Sequence, residues 1–103
     1  MGISIVLSHF EQPEVLAWQV QRLEKFSDLP LDVVLVDDCS ATESPLPMLR
    51  NSKLTGTFVR HKRRIAWNIP GSRNWGMVFA KYEHCLRTDL DHVPSRATLE
   101  KLL

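Results

Sequence analysis

Two short apolar runs rich in β-branched residues, Ile3-Ser4-Ile5-Val6-Leu7 and Val33-Val34-Leu35-Val36, constrain this chain more than any other feature. Such runs suit strands buried on both faces, as in a parallel sheet. Between them, Pro13 stands where a helix can begin, because the first helical position has no amide bond to lose. Leu16, Val20, Leu23 and Phe26 then recur at gaps of four, three and three, which places them on one helical face. Ser27-Asp28-Leu29-Pro30 breaks the pattern. The first 38 residues therefore read as strand, helix and strand, a parallel pair with a right-handed crossover.

The rest of the chain continues the alternation less clearly. Cys39 to Ser52 holds prolines and small polar residues, so it reads as loop with one helical turn near Leu46–Arg50. Thr57-Phe58-Val59 is a third strand, followed by the basic loop Arg60 to Arg64 and the turn residues Asn68-Ile69-Pro70-Gly71. A helix is expected from Ser72 to Lys81, with Trp75, Val78 and Phe79 as its apolar face. Cys85-Leu86 marks a fourth strand that ends in Thr88-Asp89-Leu90-Asp91-His92. Ser95 is placed to cap a last helix carrying Leu99, Leu102 and Leu103.

With 103 residues there is room for one domain, spanning 1–103. Thirteen Lys+Arg against twelve Asp+Glu leave a net charge of +1, which argues against nucleic acid as a partner held by bulk charge. The apolar runs fall far short of the roughly 20 residues that cross a bilayer. The start has no basic segment and no small-residue cleavage site, and Met1-Gly2 lacks the rest of a myristoylation signal. The expected location is cytoplasmic. Cys39 and Cys85 follow strands separated by another in such a sheet, so no bridge between them is expected. The last helix runs to the chain end, so the fold is expected to be truncated.

Polar residues gather just after the strands: Ser8-His9-Phe10, Asp37-Asp38, and Asp89 with Asp91. In an open α/β sheet, ligands bind outside the carboxyl ends of the strands, where strand order reverses. Acidic groups meeting there repel one another unless a cation offsets them. Carboxylates in an Asp-x-Asp spacing offer oxygen ligands that suit Mg2+ or Mn2+ and a bound phosphate. No Cys or His stands in a zinc-like spacing.

At these residues the chain resembles the N-terminal, nucleotide-binding half of a GT-A glycosyltransferase, closest to family 2. The resemblance rests on Ile3-Ser4-Ile5-Val6-Leu7-Ser8-His9-Phe10, Val36-Asp37-Asp38-Cys39-Ser40, Gly71-Ser72-Arg73-Asn74-Trp75-Gly76 and Thr88-Asp89-Leu90-Asp91, in that order. It implies an α/β, three-layer Rossmann-like open sheet, mostly parallel. It also implies a UDP-sugar donor, bound through Mn2+ or Mg2+, whose sugar passes with inversion to an acceptor on a glycan, protein or lipid. Ser8 and Phe10 match the residues lining the nucleobase pocket, and Asp38 matches the carboxylate that accepts the N3–H of uracil. Arg73 matches an arginine near ribose and diphosphate. Asp89 matches the first carboxylate of the metal motif, close to ribose and donor sugar, and Asp91 matches the metal ligand. No residue is assigned as catalytic base.

Departures from the family pattern are Glu11 where Asn is common, Cys39 where Gly is common, and His92 directly after the metal motif. Plainer readings stand beside these. Asp37-Asp38 can simply end a strand and cap a turn, and Asp89 and Asp91 can be solvated loop carboxylates. His9 and His92 are read as supporting or surface groups, and His61 and His84 as surface. Arg60-His61-Lys62-Arg63-Arg64 is read as a solvated loop, with attraction of an anionic acceptor, diphosphate or lipid surface as its functional reading. Trp18, Trp67 and Trp75 are read as packing residues, Trp67 also standing where it could touch a sugar face. Two other functions stay open: a non-catalytic nucleotide-binding module that needs a partner, and a dinucleotide binder. The latter is disfavoured, because Ser8-His9-Phe10-Glu11 stands where a glycine-rich turn would follow the first strand. An exposed sheet edge would also invite self-association.

Overall fold

The computed structural model describes residues 2–38, 44–61, 74 and 76–103. Strand β1 (Ile3–His9) leads through helix α1 (Pro13–Glu24) to β2 (Leu31–Asp37). Helix α2 (Leu46–Arg50) then precedes β3 (Gly56–Arg60), and β4 (His84–Thr88) precedes helix α3 (Arg96–Leu102). The strands form one sheet in the order β3-β2-β1-β4. All three pairings are parallel, with Ile3 opposite both Leu31 and His84. This is the expected α/β, Rossmann-like architecture. No described helix is long and apolar enough to cross a membrane.

Alternation along the strands divides the core into two layers. Ile3, Ile5 and Leu7 of β1 join Val33 and Leu35 of β2 under Leu16, Val20 and Leu23 of α1, Leu49 of α2 and Leu99 of α3. Val6, Val34 and Val36 point to the opposite face, against Val59 and Ala80. Leu16 and Leu23 are fully buried, so truncating either to alanine costs about 2–5 kcal/mol. Pro13 occupies the start of α1, as its missing N–H allows. Phe26 lies beyond the helix end yet packs against the same core.

The end of the Ser72–Lys81 helix departs from expectation. Positions 74 and 76–78 are helical, and the helix stops before Phe79. Val78 is 70% exposed, and Met77 and Phe79 also face outward. Of the described helical residues, Gly76 is the one turned to the sheet. A methyl at Gly76 would press into Val6 Cγ1 and lie 3.3 Å from Val36 Cγ2. A helix of bulky residues could not come this close, so glycine sets the spacing between the layers. Trp75, the remaining residue of the expected apolar face, lies outside the described residues, as does Trp67.

Polar groups pin the remaining segments. Buried Ser4 donates from Oγ to Asp32 Oδ2 at 3.3 Å, across the register pair that β1 and β2 form. The backbone amides of Lys81 and Tyr82 donate to those same oxygens, which docks the entry to β4. Ser95 caps α3 as expected, its side chain accepting from the amide of Thr98. Leu99 is buried and Leu103 half-buried, but Leu102 faces out at the end of the short helix. Arg96 holds α3 to the loop after α1, donating to both Asp28 oxygens at 2.6 and 3.0 Å. That paired hydrogen bond from Arg96 holds the Asp28 carboxyl below its ordinary value.

Trp18, expected as a packing residue, is half-exposed with the Arg22 guanidinium 5.8 Å from its ring centre. Cys85 lies within β4, as the assignment of the fourth strand expects, and forms no disulfide among the described residues. Cys39 lies outside the described residues.

Candidate functional site

The chain runs from β1 to β2 to β3 on one side and then crosses to β4 on the other side of β1. Strand order thus reverses between β1 and β4, where the two crossovers diverge and leave a crevice above the strand ends. A cleft of about 430 Å³ opens there, lined by Ser8, Phe10, Gln12, Val15, Asp38, Thr88, Asp89, Leu90 and Asp91. Five of the six residues singled out from the sequence, Ser8, Phe10, Asp38, Asp89 and Asp91, therefore share one wall-to-wall space. The sixth, Arg73, lies outside the described residues.

Each side chain arrives by a different route. Ser8 is the last-but-one residue of β1, and Phe10 follows it in the loop to α1. That loop passes through Glu11, the one described non-glycine residue with a positive φ, at 50°. Asparagine tolerates this left-handed region better than glutamate, so the unusual residue sits where the backbone is most demanding. The loop is tied by His9, which is buried and not at the surface. The amide of Gln12 donates to His9 Nε2 at 3.0 Å. The proton must therefore sit on Nδ1, which donates to Asp37 Oδ1 at 2.8 Å.

Asp37 and Asp38 consequently do different work. Asp37 is fully buried, bound to His9 on β1 and to Arg60 Nε on β3 at 3.1 Å, a tie across three strands. Arg60, expected to begin a solvated loop, instead ends β3 and makes this ion pair. Asp38, one residue further on, has its amide bonded to the carbonyl of His9 at 2.8 Å and lines the cleft. Asp37 thus ends the strand as the plainer reading has it, while Asp38, itself only 8% exposed, lines the cleft.

On the far wall, the turn after β4 carries Asp89 and Asp91, 57% and 73% exposed, around a buried Leu90. His92 Nδ1 lies 3.5 Å from Asp89 Oδ2 and 3.7 Å from Asp91 Oδ1. The three side chains offer ligand atoms all within 4.8 Å of one another. The two carboxylates offer the oxygen donors that suit a hard divalent cation such as Mn2+ or Mg2+. His84 is exposed as expected, and His61 is half-buried with its amide bonded to the Asp37 carbonyl.

Gln19 was not anticipated. It is fully buried on α1, and its Nε2 donates to the carbonyl of His92 at 2.7 Å and of Asp89 at 3.4 Å. The signal was present in the spacing: 16, 19, 20 and 23 together make the i, i+3, i+4, i+7 stripe, so Gln19 belongs to the buried face.

Residues 4–103 match the glycosyl transferase family 2 pattern. No curated protein matches the chain. Among solved structures, residues 1–349 of TarS from S. aureus align with a TM-score of 0.79 at 23% identity, over 99% of this chain and 31% of that one. The same protein in complex with UDP aligns at 0.78 and 23%, with the same coverage. The mannosyltransferase PcManGT from Pyrobaculum calidifontis, in complex with GDP-Man and Mn2+, aligns at 0.74 and 23%, over 94% of this chain and 30% of that one. These likenesses bear out the GT-A fold. The chain spans about a third of the length of these structures.

Proposed function

Because this chain belongs to glycosyl transferase family 2, we propose that its cleft binds a UDP-type sugar nucleotide through Mn2+ or Mg2+ and that the sugar passes with inversion to an acceptor hydroxyl. The observation that carries the reading is the meeting of Ser8, Phe10, Asp38, Asp89 and Asp91 in one cleft at the switch point. The UDP in the TarS complex, and the GDP-Man and Mn2+ in the mannosyltransferase complex, support this class of ligand.

In this reading the uracil ring packs on Phe10 beside Ser8, and Asp38 accepts its N3–H. Asp89 stands toward the ribose and donor sugar, and Arg73 toward the diphosphate. Asp91 holds the cation together with Asp89, and His92 is within reach of both. The bound cation would offset the charge that grows on the diphosphate oxygens as the sugar bond breaks, a contribution of several kcal/mol. A carboxylate acting as general base would take the acceptor proton. The acceptor belongs to a glycan, protein or lipid, and a cytoplasmic location is part of the same proposal. Pairing of an exposed sheet edge with a second copy is the form that self-association would take.

Calorimetry with UDP and CDP, with and without MnCl2, tests the donor site. The expected result is tighter binding of UDP when Mn2+ is present, and loss of the preference over CDP in Asp38→Ala. Equal binding of UDP and CDP by the unmodified chain would overturn the assignment of Asp38. A parallel assay of UDP release from UDP-sugars in the presence of acceptors separates transfer from the module reading, in which binding occurs without release.

A further inference from the structure

The geometry points to Gln19 as a positioning residue for the cation-binding turn, an inference that rests on the donor-site reading above. Asp89 and Asp91 are exposed on the turn, with His92 Nδ1 beside both carboxylates. Where their oxygens lie depends on the backbone of the turn that carries them. Part of that backbone is tied locally, by the amide of His92 to the Asp89 carbonyl at 3.0 Å and by Thr88 Oγ1 to the His92 carbonyl at 3.2 Å. Local bonds fix the shape of the turn but not its place on the domain.

Its place is set from below. Leu90 inserts into the main core between the two aspartates. Gln19 reaches up from α1 and donates to the carbonyls at both ends of the turn, Asp89 and His92. Both partners are carbonyls, which only accept, so the amide must present its NH2 group to them. Its Oε1 is buried with no hydrogen-bond partner among the described residues. An orphaned buried acceptor costs stability, so this glutamine is a poor choice for stability alone. Leucine at the same point of the stripe would bury well and leave nothing unpaired. What leucine could not do is hold the two ends of the turn at a fixed distance from α1. Groups that orient metal ligands typically govern affinity by about 10–100-fold.

The test is Gln19→Met in the full chain, which keeps length and removes the donor. Two readouts are needed. Amide hydrogen exchange at His92 is expected to quicken about fivefold, the effect of one lost hydrogen bond, with the β1 and β2 amides unchanged. Mn2+ affinity, titrated with the metal alone, is expected to fall about 10–100-fold, with UDP binding in the absence of metal held within about twofold. Unchanged Mn2+ affinity in Gln19→Met, where the unmodified chain binds and Asp91→Ala does not, would overturn the inference and leave the site reading intact. An unmodified chain with no affinity for Mn2+ would overturn both. If the β-strand amides show that Gln19→Met does not fold, Gln19→Asn, whose amide is retracted by one methylene, is read by the same two criteria.

Discussion

Gly76 lies directly against Val6 of the sheet, and replacing it with alanine puts the two-layer packing under direct strain. The added methyl would fall inside contact distance of Val6 Cγ1, with Val36 Cγ2 3.3 Å away on the other side. Both valines are fully buried in central strands, and a β-branched side chain has one strongly preferred rotamer, so neither can swing aside cheaply. Overpacking of this kind costs about 1–3 kcal/mol, and this site belongs at the upper end. Against it stands a gain of up to about 1 kcal/mol for alanine over glycine in a helix. The balance is a loss of about 2 kcal/mol, or roughly 8–16 °C in Tm for a domain of this size. A thermal melt of Gly76→Ala, Val6→Ala and the pair measures it. In the double variant the new methyl occupies space that Val6 has vacated, so the two losses should fall short of additivity by about 1–2 kcal/mol. Strict additivity, or a Gly76→Ala chain as stable as the original, would refute the close approach.

Glu11→Asn relieves a left-handed backbone position and should raise Tm by a few degrees, about 0.5–1 kcal/mol, with no change in the far-UV spectrum; a drop in Tm would contradict this. Phe10→Ala should weaken UDP binding by about 1–3 kcal/mol through lost stacking on the base, with or without Mn2+. Calorimetry showing unchanged affinity would remove Phe10 from the nucleobase pocket. The docking of α3 should depend on pH. Hydrogen bonds from Arg96 lower the Asp28 pKa in the folded chain, so their stabilisation is present above the ordinary value of 3.8 and is lost as pH falls through the lowered one. Loss of Leu99 methyl dispersion by NMR on acidification, absent in Asp28→Asn, is the expected signature.

Much of this architecture is legible in the residues because the relevant signals are local. β-branched runs mark the inner strands, Pro13 and Ser95 mark helix starts, and the spacing of Leu16, Val20 and Leu23 marks a buried face. The strand ends then locate the cleft, since topology alone places ligands there. Signals fail where contact distance, not hydrophobicity, decides. Periodicity selects Trp75, Val78 and Phe79 as the face of their helix, yet among the described residues it is Gly76 that meets Val6, with Ala80 packed beyond the helix end. Side chains that meet across the sheet are also hidden. Nothing in the order of residues joins His9 to Asp37 to Arg60 until register sets them side by side, and that tie separates the role of Asp37 from that of its neighbour Asp38. Gln19 falls between these cases, its burial readable from spacing and its carbonyl partners not.

The most direct test of the account is titration of the chain with UDP in the presence and absence of Mn2+, repeated on Asp91→Ala. The account predicts that the metal strengthens UDP binding in the original chain and has no effect in the variant, whose metal-free affinity is preserved. Metal-enhanced binding that survives the loss of Asp91 would contradict it.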